Sequence, residues 1–331
     1  GSGGQSQAPV PPVAGKRGPD AEDDAGTPSC AAAHAQAKLV QQPVDIVMIV
    51  DNSGSMDDEL RSVEANINQG FASILQQSGV DYRVILISQH RRRDRDDTSV
   101  CITAPLSGLT QCPADQPVFG QRFFQYSVEV GSRDSFDILL DSYAPPFDRD
   151  AEEEFDKAPM GWSAWLRPGA KKVFVEITDD DENADVVEFL FALSDLSPDN
   201  FGTDPNNLSF VWHSIVGVVE KAQPTEPYLA SEPIEQDECD DVKNAGLAYQ
   251  ELSRLTGGLR FPICQFQSYG TVFRVIAEDV AKSGDVACDF AVPIRPGLVP
   301  VARGVAGQLR LEALKVETRE LPDIYLKFLE Q

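Results

Sequence analysis

The residues with the most chemical content are Asp51, Ser53 and Ser55, spaced D-x-S-x-S within DIVMIVDNSGSMDDEL. That spacing puts one carboxylate and two hydroxyls on one tight loop. All three are hard oxygen donors, suited to a divalent cation: Mg²⁺ first, with Mn²⁺ or Ca²⁺ as alternatives. A second apolar stretch, VFVEITDDDE, also ends in acid, at Asp179, Asp180 and Asp181. The competing account is local, with Asp51, Ser53 and Ser55 merely capping the helix that follows. Two acidic strand ends in one chain favour a shared cation. Catalytic patterns are missing: a phosphatase of the haloacid dehalogenase type needs an acid at residue 53, and a hydrolase elbow needs a glycine at 51. The chain therefore reads as a non-enzyme.

The elements that must hold these residues alternate between strand and helix. VDIVMIVD (44–51) is a continuous apolar run, as in a strand buried on both faces. Leu60, Val63, Ile67, Phe71 and Ile74 step by three or four, which predicts a helix over 56–77; Asp57, Asp58 and Glu59 suit its positive N-terminus. Further strands are expected at 81–88, 122–130, 171–179, 208–219 and 259–264. Helices are expected around 136–140, at 186–193, at 242–256 ahead of Gly257-Gly258, and at 271–282. This order implies an α/β fold: a doubly wound, mostly parallel sheet flanked by helices, with ligands at the C-terminal strand ends. Residues 1–43 read as a flexible tether, 44–290 as the domain, and 291–331 as an extension forming two strands (a hairpin) or a helix.

The 331 residues carry 28 Lys and Arg against 53 Asp and Glu, a net charge of −25. Such a surface repels phosphate backbones and anionic lipids and attracts cations, so nucleic acid is excluded as a partner. No apolar run approaches the roughly 20 residues of a membrane helix, so no transmembrane segment is expected. Six cysteines fit three disulfides and an exported life at the cell surface, in a periplasm or outside the cell. Their spacing, and that of His34, His90 and His213, does not suit zinc. The Gly/Ser-rich start fits either a lipoprotein spacer, lipid-anchored before residue 1, or a cloning scar.

At this point the chain resembles the von Willebrand factor type A family, whose metal-ion-dependent adhesion site opens with D-x-S-x-S. Asp51, Ser53 and Ser55 match that motif, and Thr178-Asp179 match the first two positions of the family's later T-D-G. The segments DNSGSM, RVILIS, SVEVGS and TGGLRFPIC are similar to exported type A proteins and lipoproteins of predatory and soil deltaproteobacteria, the myxobacteria among them. The resemblance implies a doubly wound, Rossmann-like sheet with enlarged loops at the metal face. Ser53 and Ser55 would ligate directly, while Asp51 and Asp179 act largely through water. The family's further ligand, usually Thr, has no counterpart, since 128–177 contains no threonine. Ser132 is the first substitute, with Ser135, Ser142, Ser163 and Glu152-Glu153-Glu154 as others. The same topology implies the disulfides Cys30–Cys288, Cys101–Cys112 and Cys239–Cys264.

The expected function is adhesion: an exported module whose metal captures an acidic side chain of a protein partner. The rim would be formed by loops 89–121, with Arg91–Arg95, and 220–241, with Glu232, Glu235, Asp237 and Glu238. The alternative is a structural part of a surface assembly or fibre, in which the fold is a rigid brick.

Overall fold

The computed structural model of the chain describes residues 38–40, 42–90, 99–112, 117–147, 160–223, 225–284, 287–289, 298–305 and 308–315. In chain order, strand β1 (Lys38–Val40) precedes β2 (Val44–Val50). Helix α1 (Asp57–Asn66) passes through one π-helical turn (Ile67–Ala72) into α2 (Ser73–Ser78), followed by β3 (Tyr82–Ile87) and β4 (Phe123–Tyr126). Next come α3 (Ser135–Asp141), a 3-10 turn (Trp162–Trp165), β5 (Lys171–Ile177), α4 (Val186–Leu196) and the short α5 (Pro198–Phe201). A small hairpin that the sequence pattern did not announce, β6 (Gly202–Asp204) and β7 (Asn207–Leu208), leads to β8 (Phe210–Val216). The unit closes with α6 (Leu247–Thr256), β9 (Arg260–Pro262), α7 (Tyr269–Ser283) and β10 (Ala287–Asp289). Residues 37–289 form one compact unit. In a second unit, β11 (Leu298–Val305) and β12 (Gln308–Lys315) pair antiparallel, the hairpin form of the C-terminal extension.

Six strands pair in the order β4-β3-β2-β5-β8-β9, every pair parallel. The chain winds from β2 to one edge, returns beside β2 as β5, and winds to the other edge. This is the doubly wound α/β arrangement of the Rossmann type, and its switch point lies between β2 and β5. Both faces are covered. Ile46, Met48 and Val50 face the core shared with α1 and α7, whereas Val47 and Ile49 face the core shared with α3, α4 and α6. An apolar run without polar alternation is what a strand buried on both sides requires. Helix α7 lies so close to the π turn that a Cβ on Gly70 would come within 2.7 Å of the Gly270 carbonyl oxygen.

The N-terminal ends of the strands hold a buried ionic cluster. Asp45 accepts from the Arg167 Nε (2.7 Å) and backbone N–H (2.6 Å), with the Lys172 ammonium 3.5 Å away. The two cations compensate the buried Asp45 carboxylate.

Several boundaries differ from the sequence pattern, three of them with a visible cause or partner. Lys38–Val40, inside the expected tether, pairs antiparallel with Ala287–Asp289 and so belongs to the compact unit. The helix expected over 242–256 starts at Leu247, because Gly246 adopts φ +65° against Val216. The strand expected over 122–130 keeps only Phe123–Tyr126. Two expected disulfides are formed, Cys101–Cys112 and Cys239–Cys264, and both fit a secreted protein. Cys30, and with it the Cys30–Cys288 pairing, lies outside the described residues. No helix among the described residues is long and apolar enough to cross a membrane.

Candidate metal centre at the switch point

Strand β2 delivers Asp51 to the C-terminal edge of the sheet, and the Asp51 N–H donates to the Ile177 carbonyl at 3.0 Å, keeping β2 against β5 to its last residue. The Asp51 carboxylate accepts from the Ser53 N–H at Oδ1 (2.7 Å) and from the Thr178 hydroxyl at Oδ2 (2.9 Å). Met56, wholly buried, closes the turn by donating its N–H to Ser53 O at 3.1 Å. The Ser53 and Ser55 hydroxyl oxygens stand 3.2 Å apart. Across the switch point Asp179 is 3 % exposed, and neither of its carboxylate oxygens makes a hydrogen bond. The Ser55 hydroxyl is still near enough to offset part of the burial that raises its pKa.

The electrostatics are those of shielded carboxylates set close to one another. Burial raises Asp51 from 3.8 to about 6, and the neighbouring Asp179 adds to the rise. Asp179 is raised by burial and by Asp180. Buried carboxylates are normally paired or coordinate metal. Among the described residues no three or more His, Cys, Asp or Glu side chains gather as a metal site. The donor set here consists of carboxylates together with hydroxyls, all oxygen, which fits a hard cation such as Mg²⁺. Sequence reasoning thus placed Asp51, Ser53, Ser55 and Asp179 at one strand edge, and the structure brings them there.

Asn52 organises the third wall. Its Oδ1 accepts from the N–H groups of Val130 (2.8 Å) and Gln89 (3.3 Å), its Nδ2 donates to Gln89 Oε1 (3.2 Å), and its own N–H donates to Val130 O (3.0 Å). This bonding occupies both backbone groups of Val130, beyond the end of β4. The turn that follows contains Ser132 and then Arg133, whose Nε and Nη2 grip the two oxygens of Asp180 at 3.1 and 3.2 Å. Ser132 directly precedes Arg133 in that turn. Ser135 is committed to Glu176 Oε1 (2.8 Å) and Ser142 to its own helix, on the Ile138 carbonyl. Ser163 sits in the 3-10 turn by the start of β3, where Arg83 donates to Trp165 O (2.9 Å), at the far pole. Glu152–Glu154 lie outside the described residues.

Further acids surround the centre. Glu59, read from sequence only as a helix-dipole partner, is raised by burial and by the charge of Asp179. Glu176 on β5 is fully enclosed and held well above the usual carboxylate range by burial. Glu182 Oε2 accepts from the Phe136 N–H (2.9 Å), lashing α3 to the chain after β5.

The rim is more tightly built than loop length suggested. Val100, Ile102 and Leu106 are buried in the α1 core, and Asn68 and Glu64 of that helix region bond to Leu106 N and Cys101 N at 3.1 and 2.7 Å. Arg91–Arg95 lie outside the described residues. In the loop after β8, Glu232 pairs with Lys221 at 2.7 Å, and Glu235 Oε1 accepts the N–H groups of Gln236 and Asp237. These carboxylates serve the loop itself.

The raised Asp51 pKa sets a pH dependence. An acid whose folded pKa exceeds its unfolded value stabilises the fold below 3.8, and that contribution is lost as pH rises through about 6. A cation competes with the same proton. Mg²⁺ affinity, measured calorimetrically, should be about four-fold weaker at pH 5.5 than at 7.5 from Asp51 alone; equal affinities would remove Asp51 from the site. No family model matches the chain, and no curated protein or solved structure matches it.

Proposed function

We propose that the chain is an exported, cation-dependent protein-binding module of the von Willebrand factor type A kind. The observation that carries this reading is Asp179: a shielded carboxylate with no hydrogen bond, set across the switch point from Asp51 and close to the Ser55 hydroxyl. A divalent cation held by Asp51, Ser53, Ser55 and Asp179 would supply an electrostatic anchor for a partner's carboxylate. Ser132 is the candidate for a further donor from the 131–134 turn. The two disulfides support export, since such bridges persist in oxidising compartments.

The test is capture on immobilised full-length chain from envelope or lysate proteins in Mg²⁺, followed by EDTA elution. Partners released by EDTA, and equally by a glutamate-rich competitor peptide, are the expected result. Capture indifferent to EDTA would instead favour the structural role, with the metal only stabilising the fold.

A further inference from the structure

Among the described residues, Lys243 is a cation whose charge reaches this acidic centre. The segment 239–246 is clamped against the end of β5. Lys243 and Asn244 donate their N–H groups to Asp179 O at 2.9 and 3.3 Å, and the Asn244 amide bonds Asp180. Asn244 O lies against Gly217 so closely that a Cβ there would come within 1.9 Å. The Cys239–Cys264 bridge fixes the segment's start, and Gly246 with its positive φ fixes its end. The Lys243 backbone is thereby held at the rim, and the residue is exposed, in a chain of net charge −25. Arg133, another nearby cation among the described residues, is bound to Asp180 through both arms of its fork. No ion pair engages Lys243 among the described residues, although its charge reaches Asp179 and partly counters the rise of that carboxyl.

We infer that Lys243 reads the ligand of the metal centre: it opposes the metal, and it selects an acidic partner segment carrying two neighbouring carboxylates. One carboxylate goes to the cation and the second to the ammonium. The inference rests on the metal-dependent reading above and adds the partner's charge pattern. Without metal, the ammonium offsets part of the charge of Asp179. A divalent ion entering the site places a like charge beside it, so the lysine weakens metal binding. Once the ion is bound, the ammonium is free to meet an incoming anion and strengthens that step. In a screened, water-exposed setting each effect is about two- to five-fold. A residue with only a structural role would not move the two steps in opposite directions.

Calorimetric titration with Mg²⁺ alone, then of Mg²⁺-saturated protein with two capped peptides, Gly-Glu-Glu-Gly and Gly-Glu-Gln-Gly, tests this. Lys243→Gln should bind Mg²⁺ two- to five-fold more tightly (about that factor, from the charges above) and lose the wild-type preference for the double glutamate. Lys243→Arg should keep both wild-type behaviours. Unchanged Mg²⁺ affinity, or an intact peptide preference, in Lys243→Gln overturns the inference while leaving the metal centre standing. Wild-type protein that fails to bind Mg²⁺, or binding that survives Asp51→Asn, overturns the centre and the inference together. Melting curves of both variants confirm that the exposed substitution leaves the fold intact.

Discussion

Asp51→Asn abolishes Mg²⁺-dependent thermal stabilisation and leaves the metal-free protein as stable as wild type, or more so. The asparagine keeps an oxygen for the Ser53 N–H, 2.7 Å away in the wild type, and an amide for the Thr178 hydroxyl, so the turn survives. What it removes is a charge that burial disfavours, shown by the rise of Asp51 to about 6. In metal-free buffer near neutrality that removal is neutral or favourable. With Mg²⁺ at a hundred times its Kd, wild type gains about 2.7 kcal/mol by linkage and the variant gains none. Melting curves in EDTA and across a Mg²⁺ series read both halves. If Asp51→Asn were stabilised by Mg²⁺ to the wild-type extent, the four-residue donor set would be wrong.

Arg260→Ala is the largest expected loss of stability. Arg260 is completely buried, and its guanidinium donates to Pro233 O (2.9 Å), Gln250 Oε1 (3.1 Å), Leu229 O (2.6 Å) and Glu232 O (3.0 Å), with its Cζ 5.6 Å from the centre of the Tyr228 ring. One side chain on β9 thus holds the loop after β8 by its carbonyls. Truncation orphans those acceptors and opens a void, at a cost on the order of 3 kcal/mol after partial rehydration. For a unit of this size that is a drop of roughly 6–12 °C in Tm. Limited proteolysis should cut within 220–238 before the fold melts. A shift of about a degree would mean that the loop is held by other contacts.

The elements were legible where a local pattern suffices. VDIVMIV reads as a central strand because both of its faces are buried, and Leu60, Val63, Ile67 and Phe71 read as a helix because they line one core. The two acidic strand ends were legible for the same reason: a D-x-S-x-S turn and a terminal carboxylate are each contained in a few residues. The rest of the centre depends on partners far apart in sequence. Asn52 bonds Val130, 78 residues on; Arg133 meets Asp180, 47 residues on; Asn244 reaches back 64 residues to Asp180. No spacing rule carries such pairs. In the first of them the Asn52 side chain takes the Val130 N–H while the Asn52 backbone N–H donates to the Val130 carbonyl. Strand β1 escaped notice because three residues pair with a segment at the opposite end of the unit. Loop length alone did not announce the core contacts inside 89–121, where Val100 and Ile102 are wholly buried.

The β1–β10 pair has a mechanical consequence. Lys38 is registered opposite Asp289 and Val40 opposite Ala287, so the chain enters and leaves the unit through residues paired with each other. Tension on the two flanks would load that pair at one end and part its hydrogen bonds in succession, a soft unzipping. The next restraint inward is Gln42 N–H on Gly284 O, at 2.8 Å, and behind it stands β2, gripped in parallel by β3 and β5 along its length. There a pull along the strand shears many bonds at once. Seven residues of β2, about 20 Å, separate this yielding end from Asp51. A molecule held by its ends would therefore give first at the pole remote from the cation site and keep its grip while stretched.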